Sequence, residues 1–160
     1  MAETKREKVL FKYHSNVLDE LTTETMWSEM VDKKNGIYRL KDIPFYGPVI
    51  ATEDEFYAEF DESEQMLIYK ETTKFSGNSI VLVAITQNGF DKEIIRKKLD
   101  KLNCKSESLN DSYFSLEILK KTNYFIITKI LSEYQKTGIL DYAEPCLSEK
   151  HEIDLIENEA

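Results

Sequence analysis

Apolar and polar residues follow two different periods along this chain. From Val9 to about Lys74 they alternate in short runs, the pattern of strands with one face buried. Val9–His14, Met26–Val31, Ile37–Leu40, Val49–Thr52, Phe56–Phe60 and Met66–Lys70 read as strands. Asn35-Gly36 marks a tight hairpin, because both residues tolerate positive φ. Ile43-Pro44-Phe45-Tyr46-Gly47-Pro48 must leave the sheet, since neither proline can donate to a ladder. Short strands at this spacing predict a small antiparallel β-barrel-like half over residues 1–75.

Beyond the Ser76-Gly77-Asn78-Ser79 loop the pattern changes. Ile80–Ile85 is apolar on both faces, as a central strand covered on both sides requires. Phe90, Ile94, Ile95, Leu99 and Leu102 follow at helical spacing. Lys105–Ser108 and Tyr113–Leu119 read as strands around Leu109-Asn110-Asp111. Thr122 or Asn123 can cap a second helix with Phe125, Ile126, Ile130, Leu131 and Tyr134 facing inward, and Gly138 suits its end. Ile139–Ala143 is a last strand that Pro145 ends. The order β-α-β-β-α-β predicts a ferredoxin-like half over 76–146, giving an α+β chain. The acidic tail, 147–160, reads as a frayed helix or a disordered segment.

Charge narrows the function classes. With 30 Asp and Glu against 21 Lys and Arg the net charge is -9, which opposes nucleic acid as a partner. Tyr113-Phe114-Ser115-Leu116-Glu117 places aromatics where RNA-recognition sheets stack bases, but the basic residues and glycine of that signature are missing. The first residues are charged with no apolar run after them, and the longest apolar run is Ile80–Ile85. A secretory signal and a membrane span are therefore not expected, and a cytoplasmic protein is.

Candidate chemistry is sparse. His14 ends a strand and His151 lies in the tail, so both read as solvated residues without a nucleophile or an orienting partner. Cys104 and Cys146 lack metal-ligand spacing, and a free, buried state is expected for both. Ser76-Gly77-Asn78-Ser79 reads as a turn at a junction in preference to an anion-binding nest. Trp27 is expected to anchor the barrel core. No dense catalytic set stands out, so neither an enzyme nor a cofactor or metal is implied.

The densest feature is Glu53–Glu64, a twelve-residue stretch with seven acids, three aromatic residues and no Lys or Arg. Phe56, Ala58 and Phe60 alternate with Tyr57 and Glu59, so one face can be buried and the other presented. Asp54, Glu55, Asp61, Glu62 and Glu64 would ring one end of the barrel; together with Glu59 they would supply charge, and Tyr57 an aromatic anchor, for a basic protein partner. Charge runs of this sort also serve solubility alone.

Trp27, Ile43-Pro44-Phe45-Tyr46, Asp54 and Ser76-Gly77-Asn78-Ser79, over about Trp27–Ile85, resemble an uncharacterised bacterial family known only as a domain of unknown function. Glu53 stands where that family often has Gly. The resemblance implies no activity and no catalytic residues. Small acidic proteins of this type are often immunity proteins that block a basic toxin. The leading expectation is therefore an immunity or antitoxin-type protein acting on a basic toxin, of the nuclease kind. A regulatory or small-molecule-binding module using the cleft between halves is the alternative.

Overall fold

A computed structural model describes residues 5–15 and 18–158, and it is mixed α+β: two sheets and three helices. The first sheet is a ring of β1 (Arg6–Ser15), β2 (Glu20–Asp32), β3 (Ile37–Leu40), β4 (Glu55–Asp61) and β5 (Met66–Lys74). Neighbours in the ring are antiparallel except where it closes. There β1 runs parallel to β5, with Val9 opposite Leu67 and Leu10 opposite Ile68, because an odd number of alternating strands returns in the starting direction. The expected all-antiparallel pairing is corrected at that seam.

Alternation fills the ring. Val9, Phe11, Met26, Tyr38, Leu40, Ile50, Phe56 and Ala58 form its core. The Phe11 ring meets Phe56 edge-on at 5.3 Å and stacks on Tyr69 at 5.0 Å. In β2 the inward residues are Glu24, Met26 and Ser28, so Trp27 points outward and is 43% exposed, with the Lys8 ammonium over its ring. The expected core tryptophan is therefore a surface residue, displaced by one step of strand parity. The Asn35-Gly36 turn forms as expected. Gly36 takes φ +69°, and a Cβ there would lie 2.9 Å from the Tyr57 ring.

Val49–Thr52 is not a strand. It belongs to the long connection between β3 and β4, where the Ala51 N–H is taken by the Asp54 carboxylate instead of a ladder. Ile50, Ala51 and Thr52 are nevertheless buried.

The second sheet has the order β7-β8-β6-β9, formed by β6 (Ser79–Ile85), β7 (Ser106–Asn110), β8 (Tyr113–Ile118) and β9 (Leu140–Cys146). Helices α1 (Lys92–Asp100) and α2 (Tyr124–Lys136) cover one face. There Val81, Val83, Phe114, Leu116 and Ile118 pack against Ile95, Leu99, Tyr124, Ile127 and Leu131. Ile80 and Leu82 face the other way, onto Ala51 and Ile43 of the ring's long connection. The two-sided apolar run of β6 is thus central, as its sequence requires. Burying each large apolar side chain contributes roughly 1.5–3 kcal/mol, so these cores outweigh surface ion pairs worth about 0.2–1 kcal/mol each.

Caps set the helix ends. Asp91 accepts from Glu93 N at the start of α1, and Asn123 from Phe125 N at the start of α2. Gly138, at φ +78°, follows the last turn of α2. The inward faces differ from expectation by a residue or so: Ile94 and Ile126 are exposed, while Tyr124 and Ile127 are buried. Pro145 does not end β9 but lies within it, which an edge strand tolerates. Cys104 and Cys146 are free, and burial pushes each thiol up to about 12.

The tail is a third helix, α3 (Glu149–Asn158). It packs through Leu155 against the core of the second sheet and through several polar contacts. Asp154 accepts from Tyr124 N at 3.0 Å, filling an open donor at the start of α2, and Lys150 Nζ donates to Thr122 O at 2.9 Å. His151, expected to be solvated, is completely buried. No helix among the described residues is long and apolar enough to cross a membrane.

Candidate functional site

The acidic stretch divides once it is folded. Asp54 is buried, at 1% exposure, and presents no charge to a partner. Its carboxylate accepts from Ser76 N at 2.8 Å and Ala51 N at 3.0 Å. Burial raises its pKa, and those two N–H groups oppose the rise. Glu55, on the outer face of β4, receives the Arg39 guanidinium at 3.1 Å, and Arg39 also reaches Glu29 at 3.3 Å. Both acids are therefore corrected from presented charge to structural partners.

The other members gather at the β4–β5 hairpin. Glu59, Glu62 and Glu64 are exposed there. Asp61 accepts from Ser63 Oγ at 2.6 Å and Glu64 N at 3.0 Å, which closes the turn and holds its carboxyl below the usual carboxylate range. Tyr57 is half-buried and donates its hydroxyl to Glu59 at 2.6 Å. Counter-charge is thin: Lys12 reaches Glu64 at 2.8 Å and Lys70 reaches Glu59 at 4.0 Å. Between the acids Phe60 is 60% exposed. Strand alternation put Phe60 on the buried face with Phe56 and Ala58. It pairs with Leu67 one step before the hairpin closes, past the end of the core. The presented set is thus Glu59, Phe60, Glu62 and Glu64, with Tyr57 at its edge.

A concavity of about 670 Å³ lies between the ring and the second sheet. Its lining carries Glu24, Asp42, Glu53, Glu107 and Glu117 against Lys41 and Lys105, with Phe45 and Tyr46 among them. Glu24 accepts from Phe45 N at 2.7 Å and from the Tyr13 hydroxyl at 2.9 Å. Burial raises the Glu24 carboxyl above its ordinary value, and it pushes the nearby Tyr113 phenol up to about 12. Nothing in sequence singled out Glu24. The only signal was an acid in the inward register of β2, two residues before Met26.

The Ser76–Ser79 run is the junction the turn reading expected, and each residue has a task. Ser76 donates its N–H to Asp54 and its hydroxyl to Thr52 O at 2.8 Å. Gly77 takes φ +90°, and a Cβ there would lie 2.5 Å from Lys120 Cδ. Asn78 donates to Thr52 O at 3.1 Å and accepts from Lys120 N at 2.9 Å, linking ring to sheet. Ser79 engages His151. The Ile43–Tyr46 segment docks in the same manner, its Pro44 and Phe45 carbonyls accepting from the Ser115 and Tyr113 hydroxyls.

Two packed sheets, an acidic hairpin and a polar interface held by Asp54 and Asn78 define a mixed α+β protein. Residues 24–142 match the family described as Domain of unknown function (DUF4265), and the chain belongs to that family. A solved structure described as "Novel crystal structure of a hypothetical protein from Neisseria gonorrhoeae" is similar in fold. It has a TM-score of 0.76 and 21% identity, and the match covers 92% of this chain and 99% of that one. No curated protein matches.

Proposed function

We propose that this is a non-catalytic, acidic binding protein of the immunity or antitoxin kind, which occludes a basic toxin of the nuclease type in the cytoplasm. The observation that carries the reading is Phe60, a large apolar side chain 60% exposed between Glu59, Glu62 and Glu64. An aromatic anchor ringed by acids in excess of their lysine partners suits a basic surface with an apolar pocket: the ring supplies contact energy and the acids supply steering and register. Asp61 and Tyr57 hold that surface in shape. The same reading takes the ring as a small barrel and the second sheet with α1 and α2 as a ferredoxin-like sandwich. The strand order β7-β8-β6-β9 supports it, since both strands that precede a helix are central.

Phe60→Ala tests the anchor. Because the ring is mostly exposed, stability should change by no more than about 0.5 kcal/mol. Affinity for the basic partner should fall by roughly tenfold or more, as anchor truncations do. Unchanged affinity in a titration would remove Phe60 from the interface.

The cleft beside Glu24 favours a second reading, a small-molecule module. Its carboxylates outnumber its lysines, so it suits an organic cation. A bound ligand raises the melting temperature in proportion to its saturation. A screen of organic amines should give a concentration-dependent rise in the wild type and none in Glu24→Gln. A flat screen, or a rise that survives in Glu24→Gln, counts against this reading.

A further inference from the structure

The tail helix is fastened to the second sheet by a buried histidine. His151 Nε2 lies 2.9 Å from Leu119 O, just beyond β8, and its Nδ1 lies 2.6 Å from Ser79 Oγ, at the start of β6. A carbonyl oxygen can only accept, so Nε2 carries the proton and Nδ1 accepts from the Ser79 hydroxyl. Ser79 Oγ in turn accepts from Ser148 N at 2.8 Å. His151 and Ser79 are both fully buried. The neutral imidazole therefore satisfies every polar atom of this fastening.

A second proton on the imidazole breaks that pattern. Nδ1–H would have to donate to Ser79 Oγ, and the Ser79 hydroxyl proton would then have no acceptor among the described residues. An unmet donor and a buried charge both carry a large penalty. The other groups around the ring offset it only in part. On α3, Asp154 favours the charged form and Lys150 opposes it; the Thr122 carbonyl before α2 also favours it but already accepts from Lys150. From α2 the Tyr124 ring lies 5.6 Å away, its hydroxyl committed to Glu144 of β9 at 2.6 Å. Glu149 and Glu152, on the same helix, are exposed.

We propose that α3 is an acid-released latch, held to the sheet by neutral His151 between Ser79 and Leu119 and freed when that imidazole is protonated. α3 also supplies Lys150, Glu152 and Ile153 to one wall of a groove of about 860 Å³, whose other lining includes Val49 and Phe75. Release therefore opens that groove and uncovers the Tyr124 N–H that Asp154 caps.

Burial is the largest influence on His151, and it holds the group below its ordinary 6.5, with the Leu119 bond in partial opposition. Its contribution is thus complete above about pH 6.5, the unfolded-state value, and is lost as pH falls toward the folded one. The carboxyl of Asp154 moves upward through burial, but Lys150 and Tyr124 N outweigh that and hold it below the carboxylate range. The cap therefore stays charged while His151 titrates.

Hydrogen exchange on the whole chain tests the latch. Amides of α3 should lose protection by about tenfold per pH unit over part of the range from about pH 6.5 to 5, after correction for intrinsic exchange. Amides of β6 in the same sample should keep theirs. His151→Gln should flatten the α3 response. Equal α3 protection at both ends of that range overturns the proposal, and so does an undiminished loss in folded His151→Gln. If the variant does not fold, the wild type still decides: a nuclear magnetic resonance titration of His151 must share its midpoint with the opening of α3, and separate midpoints reject the latch.

Discussion

Asp54→Ala is expected to destabilise the fold by about 3–6 kcal/mol, on the cost of about 1.5–3 kcal/mol for each of two hydrogen bonds to a charged group. The carboxylate is the acceptor for both Ser76 N and Ala51 N, at a site 1% exposed. Alanine leaves those two donors buried without partners, and water has little access to replace the lost oxygens. The damage should spread, because Ser76 and Asn78 join the ring to the second sheet through Thr52. Asp54→Asn separates the contributions: one amide oxygen still accepts, but its NH₂ meets the other N–H donor. Asparagine should therefore recover about half of the loss. Urea denaturation measures both variants. If alanine costs less than about 1 kcal/mol, Asp54 is not a structural hub.

The opposite behaviour is expected at the exposed β4–β5 hairpin. Glu59→Lys, Glu62→Lys and Glu64→Lys combined should slow association with the basic partner by roughly tenfold or more at low salt, since electrostatic steering accounts for about 10–10³ in rate. Stability should change little, because all three side chains are exposed. The loss of the Glu64–Lys12 pair removes only about 0.2–1 kcal/mol. The difference between variant and wild type should shrink as salt rises, because screening suppresses the steering term first. A stopped-flow series over salt reads both effects. An association rate that ignores the reversal places the interface elsewhere.

Much of the fold was legible because period and burial coincide. Ile80–Ile85 is apolar on both faces and lies between α1, α2 and the ring's connection. Asn35-Gly36 turns where positive φ is needed. Other features were hidden for physical reasons. Met26 and Trp27 are consecutive apolar residues, and parity alone does not say which points inward; the smaller one does. The buried residues of α3 are His151 and Asp154, with Leu155 partly buried beside them, so the apolar stripe that marks a helix is thin. Val49–Thr52 has strand composition, but its Ala51 N–H is captured by a side chain.

The acidic stretch shows the same limit more sharply. Asp54 and Glu62 are alike as sequence, yet one satisfies buried backbone and the other meets solvent. Phe60 follows the alternation of Phe56 and Ala58 but outruns the core at the hairpin. Sequence located the charge; which acids remain presented depends on where the ring ends.

The most direct test of the central claim is capture from a lysate of the organism that encodes the protein, with wild type and the triple charge-reversal variant side by side, eluted over a salt gradient. The account predicts one stoichiometric basic protein, held by the wild type at low salt, released as salt rises, and lost to the variant. Equal retention by both, or a partner that is not basic, would contradict it.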